Sequence, residues 1–312
     1  MTRLELIIFR SAPFRRLFAF AKRTNPPGFE GQSLFAVGKL FLKEVRSTKV
    51  NERASAVTYN FLMAIPPTLL FLFSLVPYLP LGNVQQTIID TIYLVTPNNN
   101  VRSSLSSVVL EFMNNERRDI LSFGILLTIF FSSNGMMGLM RTFDRSVPIY
   151  VKRSKLRRRW VALKLTFMLI CVVIISLGLF IIQTNAVNDL LLRVFNSVYA
   201  VKMLSLLIVI MIIFCSVSIV YTYGPSLTNR FSFVSPGSVL ATIASVITTL
   251  VFFYIIDNFI NYNKVYGSIG TLIAFMIWMW LNTIVILLGY ELNVSILLGK
   301  TAHKVPAENA TG

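Results

Sequence analysis

Six stretches of about twenty residues, nearly free of charge, recur along the 312-residue chain: 57–79, 120–140, 161–183, 203–223, 237–257 and 269–289. Each is the length that crosses a hydrocarbon layer of about 30 Å as one helix. Lipid offers no partner for backbone N–H and C=O groups, so such a segment must satisfy them internally and is helical throughout. Charged residues make up 13% of the chain, against roughly 25% in soluble domains. The sequence therefore reads as an all-α polytopic membrane protein with six transmembrane helices.

Lysine and arginine set the orientation, because cytoplasmic loops carry the excess of positive charge. Segments 1–53, 141–160, 224–236 and 299–312 hold 22 of the 29 basic residues, and the loops on the other side hold 6. Both termini are expected in the cytoplasm. No cleavable signal peptide is expected, since the apolar run LELIIF is short and Arg10 interrupts it. The first span then serves as the insertion signal.

Three units follow: a basic cytoplasmic segment 1–53, a membrane domain 54–298 and a polar tail 299–312. In the first, Leu34, Val37, Phe41 and Val45 recur at helical spacing, with Lys39, Lys43, Glu44 and Arg46 elsewhere around the helix. That pattern suits an amphipathic helix, lying in the membrane interface or packed on the ends of the bundle. Between the first two spans, residues 81–119 carry two amphipathic patterns separated by Pro97 and Asn98 to Asn100. They are expected to form a small periplasmic helical hairpin. The first span contains Pro66 and Pro67, which remove backbone donors and favour a kink. The second contains Ser133, Gly135 and Gly138, small residues that allow close helix approach.

The formal charge of +16 raises nucleic acid as a partner. The basic run 152–159 lies where the topology rule places positive charge, however, and suits anionic lipid head groups. Membrane lipids are the expected partners, with no specific nucleic acid. Cys171 and Cys215 lie inside apolar runs and His303 in the polar tail. No cofactor or metal is expected.

Ionisable and amide residues inside membrane spans are costly and mark candidate sites. At ~1.5 Å rise per residue, Lys164 and Glu291 fall within about 5 Å of the cytoplasmic boundary, and Asn134 and Asn282 about 9 Å inside it. Tyr59 and Asn60 occupy a similar layer. Tyr59, Asn60, Asn134, Lys164, Asn282 and Glu291 are thus the candidate substrate-binding residues, expected to line a polar pocket in the cytoplasmic half. The competing reading is hydrogen-bonding between helices. Asp257 falls at the outer end of the fifth span. Trp278 and Trp280 sit near mid-span, where an indole N–H seeks a partner.

The block Tyr262-Asn263-Lys264-Val265-Tyr266-Gly267-Ser268-Ile269-Gly270, followed by Trp278 and by Leu288-Gly289-Tyr290-Glu291-Leu292-Asn293, resembles the closing signature of the YihY/BrkB family of bacterial inner-membrane proteins. Ala54 to Tyr59 with Pro67, Ser133 and Gly135 with Arg141 to Asp144, and Tyr221, Pro225, Pro236 and Gly237 resemble its earlier motifs. Tyr290 departs from the alanine usual before the glutamate, so helix packing there is expected to differ. The resemblance covers roughly residues 40–300 and implies a six-helix inner-membrane protein with cytoplasmic termini. Members have carried a ribonuclease BN label. Phosphodiester hydrolysis with metal ions needs clustered acidic or His ligands. On the cytoplasmic side Glu5, Glu30, Glu44, Glu52, Asp144, Glu308 and His303 are scattered, so an enzyme is not expected.

Three functions remain. The leading one is transport or translocation of a lipid-like or amphipathic envelope substrate. Ion-coupled exchange of a small solute would titrate Glu291 or Asp257. A non-catalytic scaffold in envelope maintenance would dock an envelope protein partner on the hairpin.

Overall fold

The structure, a computed structural model, describes residues 19–75, 118–144, 149–182, 198–259 and 268–308, with isolated positions between 89 and 110. The hairpin at 81–119 and the residues Tyr266 and Gly267 thus lie almost wholly outside the described residues. Seven long helices are described: α1 (Leu34–Ser47), α2 (Val50–Leu75), α3 (Arg118–Phe143), α4 (Lys155–Ile182), α5 (Val198–Tyr223), α6 (Pro236–Phe259) and α7 (Ser268–Glu308). Among the described residues there is no strand, only an isolated antiparallel pairing of Tyr150 with Leu227. Over the described residues the molecule is all-α, as its apolar runs dictate.

Among the described residues, four helices are long and apolar enough to cross a membrane, over Lys155–Ser176, Met203–Tyr223, Pro236–Ile256 and Leu272–Lys300. Helices α2 and α3 are each 26 residues long, roughly 39 Å at the helical rise. Helix α2 runs unbroken through Pro66 and Pro67. Helix α7 has 41 residues, about 61 Å, twice a hydrocarbon layer. It continues through 299 to Glu308, so most of the tail expected from 299 onward is helical.

Helices α2 to α7 close into a ring in chain order. Each packs on the next, and α7 returns to α2. The starts of α2, α4 and α6 meet the ends of α3 and α5 and the later half of α7, so neighbours alternate in direction. Among the described residues the buried core gathers at this end. Met140 and Phe143 of α3, Ala162 and Leu165 of α4, Tyr221 of α5, Ala241 of α6 and Leu287 and Tyr290 of α7 are all buried there. Outward faces of α4, α5 and α6 carry exposed Phe167, Ile174, Met211, Ile247 and Leu250, side chains suited to lipid.

Helix α1 packs on α7. Ser33 caps it by accepting from the Ala36 N–H, and Val37 is buried. Gln32 donates through Nε2 to the Ile296 carbonyl at 2.7 Å, and Lys300 pairs with Glu30. Lys39, Leu42, Lys43 and Arg46 face out and line a shallow surface groove.

Candidate functional site

The ring is drawn close where α6 meets α7. A Cβ on Gly289 would lie 2.6 Å from the Gly237 carbonyl oxygen and 2.7 Å from the Tyr221 hydroxyl. A Cβ on Gly237 would collide with the Gly289 carbonyl. Only glycine admits this approach, the small-residue contact used where membrane helices touch closely. Asn293, one turn further, accepts from the Gly237 N–H at 2.8 Å and donates to Ser235 Oγ at 2.9 Å. It satisfies backbone at the start of α6, where the first N–H groups lack helical partners.

Tyr290 fills the space inside the ring. Its side chain stacks on Phe143 with ring centroids 4.1 Å apart and meets Tyr221 and Phe231 edge-on. Its hydroxyl lies 2.9 Å from that of Tyr150. The departure from alanine thus adds an aromatic plug, while the close helix approach stays one residue earlier at Gly289.

Glu291 is fully buried. Arg53 at the start of α2, with only 18% of its side chain exposed, donates through Nη1 to Glu291 Oε1 at 3.0 Å. A carboxylate without water stays charged only beside such a partner. Arg53 also lines a groove of about 760 Å³ between α1, α2 and α3, together with Glu44, Glu52, Asn60, Arg141, Thr142 and Asp144. One guanidinium therefore joins a buried acid on α7 to an open polar groove.

The groove's far wall is fixed by a second cluster. Asp144 accepts from Arg158 at 3.1 Å and from the Ser226 N–H and hydroxyl at 3.0 and 2.6 Å. Arg153 donates to the carbonyls of Gly224 and Pro225, each at 2.8 Å. Burial pulls the Arg153 guanidinium below its ordinary value, against Asp144, which raises it; Arg157, Arg230 and Arg158 lower it further. An arginine remains charged throughout.

The six candidate residues separate. Asn60 lines the groove with Arg53, its amide donating to the Ala56 carbonyl at 2.7 Å, and Glu291 stands behind Arg53. Tyr59 is 60% exposed on another edge of α2. Asn134 accepts from Arg159, whose guanidinium lies over Phe130. Asn282 donates to the Trp278 carbonyl at 3.0 Å, and the Trp278 indole donates to Thr249 at 3.2 Å. Lys164 is exposed on the outside of α4. Of the six, Asn60 borders the groove, Asn134 and Glu291 are held across helices, the Asn282 bond to Trp278 lies within α7, and Tyr59 and Lys164 are exposed. Depth along a span says nothing of the face each residue occupies.

Of the motif residues, Gly135 packs against Phe61, where a Cβ would lie 3.0 Å from the ring. Gly270 is buried and Pro66 exposed. Arg53 and Arg141 are the groove residues that depth alone does not pick out. A charged residue one turn before the first apolar run is the signal available for Arg53. Among the described residues no group of three His, Cys, Asp or Glu could hold a metal ion.

The model of the family described as virulence factor BrkB matches residues 41–311. The chain belongs to the BrkB family. It is 31% identical over 283 residues to YfkH of Bacillus subtilis, a protein named as ribonuclease-like, covering 86% of this chain and 98% of that one. It is 24% identical over 266 residues to a UPF0761 membrane protein of Mannheimia succiniciproducens, covering 83% and 88%. A UPF0761 membrane protein of Vibrio campbellii is 26% identical over 272 residues, covering 84% and 82%. No solved structure matches significantly. The protein is an integral, multi-pass membrane protein of the BrkB family.

Proposed function

We propose that this BrkB-family protein carries a lipid-like or amphipathic envelope substrate through the bacterial inner membrane. All six helices of the ring cross the bilayer, with both termini cytoplasmic. The groove walled by Arg53 is the station for the substrate's polar part. The observation that supports this reading is the pairing of that groove wall with a buried acid on α7. A polar ligand in the groove competes with Glu291 for Arg53, and so acts on the contact between α7 and α2 that closes the ring. Anionic lipid collected on the exposed face of α1, at Lys39, Lys43 and Arg46, raises the local substrate concentration.

The test is transbilayer movement of a fluorescent phospholipid in liposomes holding the purified protein. Movement is expected above that of protein-free liposomes, and lost on Arg53→Gln. Equal rates with and without protein would sink the carrier reading. Ion-coupled exchange of a small solute is the second reading, favoured by the buried Glu291. It requires proton uptake that accompanies solute entry and disappears in Glu291→Gln.

A further inference from the structure

The polar groove on α2 has an apolar neighbour. Ser55, Tyr59 and Leu62 face Met276, Ile277 and Trp280 of α7 across a slot of about 330 Å³. Ala56 and Asn60 of the polar groove follow Ser55 and Tyr59 directly in sequence. Consecutive helical residues point about 100° apart, so the groove and the slot flank one exposed edge of α2. Tyr59 stands open on that edge.

The groove's charges are largely committed within the protein. Arg53 is held by Glu291, Glu52 by Lys49, and Asp144 by Arg158 and Ser226. Glu44 completes the lining. Arg141 differs: it is exposed in the last turn of α3 and, among the described residues, has no hydrogen-bond or ion-pair partner. A guanidinium is a planar fork of donors that matches phosphate oxygens in pairs. The slot offers Leu62, Met276, Ile277 and Trp280, which favour a hydrocarbon chain.

We infer that groove and slot form one site for a phosphate-headed acyl amphiphile. Its phosphate sits on Arg141, and its chain crosses Tyr59 into the slot. This rests on the carrier reading and names its substrate class and seat. The head group is selected by charge and the chain by apolar contact, so neither half alone holds the ligand well.

Trp280 reports on the slot directly. The full chain carrying Trp160→Phe and Trp278→Phe is purified in maltoside detergent, which contains no phosphate. It is titrated with phosphatidic acid bearing brominated chains, and separately with diacylglycerol bearing the same chains. Saturable quenching is expected with both, at a lipid concentration about tenfold lower for phosphatidic acid, the scale of one charged hydrogen-bonding contact. Arg141→Gln removes the preference and Arg141→Lys keeps part of it. Equal quenching by the two lipids, or a preference untouched by Arg141→Gln, would overturn the site. Complete displacement of phosphatidic acid by inorganic phosphate would overturn the role of the chain.

Should loss of the Trp278 bond to Thr249 prevent folding, Trp160→Phe alone serves, with Trp280→Phe added as the blank. The titration reads binding and the liposome assay reads carriage. Head-group preference without transbilayer movement supports the site and overturns the carrier reading. Movement without preference does the reverse.

Discussion

Glu291 carries its carboxylate where protein surrounds it completely, and the consequences of changing it differ from those of changing its partner. Arg53→Gln strands a buried acid and should cost about 3–5 kcal/mol of stability. Glu291→Gln leaves Arg53, which borders the open groove and can turn toward water, so about 1–2 kcal/mol is expected. Thermal unfolding of the purified variants in detergent checks the order, and a less stable Glu291→Gln would contradict it. The double variant should lose less than the two singles together, because the residues act as one unit. At this scale the sequence is half legible. A glutamate beside a membrane span announces the need for a partner, but nothing in the sequence pairs residue 291 with residue 53, which lies 238 positions away. Tyr290 shows a similar limit: its departure from alanine is visible, while the stack on Phe143 that gives it purpose is not. Tyr290→Ala should therefore cost about 3–5 kcal/mol, as other large aromatic truncations do, with Tyr290→Phe costing roughly 1 kcal/mol for the hydroxyl contact. The same unfolding measurement separates them, and equal losses would place the cost in the hydroxyl.

Helix pairs are governed by how closely their backbones approach. Gly289→Ala puts a methyl group against the Gly237 carbonyl, Ala241 and the Tyr221 hydroxyl, none of them the far end of a flexible chain. Helices α6 and α7 must separate, and a cost of about 1–3 kcal/mol or more follows from overpacking. A Cβ on Gly38 in α1 would meet nothing within 4 Å, so Gly38→Ala should stabilise by up to about 1 kcal/mol through helix propensity. Opposite signs of the two melting shifts are the expected result, and a tolerated Gly289→Ala would mean that the two helices do not meet so closely. Elements themselves are largely legible. Six apolar runs become six long helices because a backbone without water has few alternatives. Their ends are less so: α7 runs on to Glu308, with Asn293 and Ser295 buried on the way, where polarity alone suggests an earlier stop. Helix α1 likewise shows the right apolar stripe, yet its partner α7 is nowhere written in that stripe.

For the whole molecule, the uneven division of basic residues and the direction of the helices meet at one end. The basic segments before α2 and between α3 and α4, and the later half of α7 with Lys300, lie at helix ends that pack together around Glu291 and Asp144. An odd number of crossings would separate those segments across the bilayer, although the ion pairs Arg53–Glu291 and Arg158–Asp144 bring their neighbouring helix ends to one face. An even count fits, as the proposed six crossings by the ring of alternating helices would give. Positive charge in short loops resists translocation, which supports the cytoplasmic placement proposed for this face. Val151, Leu156 and Val234 are exposed near it and offer sites for single cysteines once Cys171 and Cys215 are replaced. A membrane-impermeant thiol reagent should label Val151→Cys and Val234→Cys in inverted inner-membrane vesicles and spare both in right-side-out spheroplasts. Asn99→Cys, in the segment between α2 and α3, should show the opposite pattern. Labelling of Val151→Cys and Asn99→Cys from the same side would break the alternation between α2 and α4, and with it the proposed six-crossing ring on which a transmembrane path for an amphiphile depends.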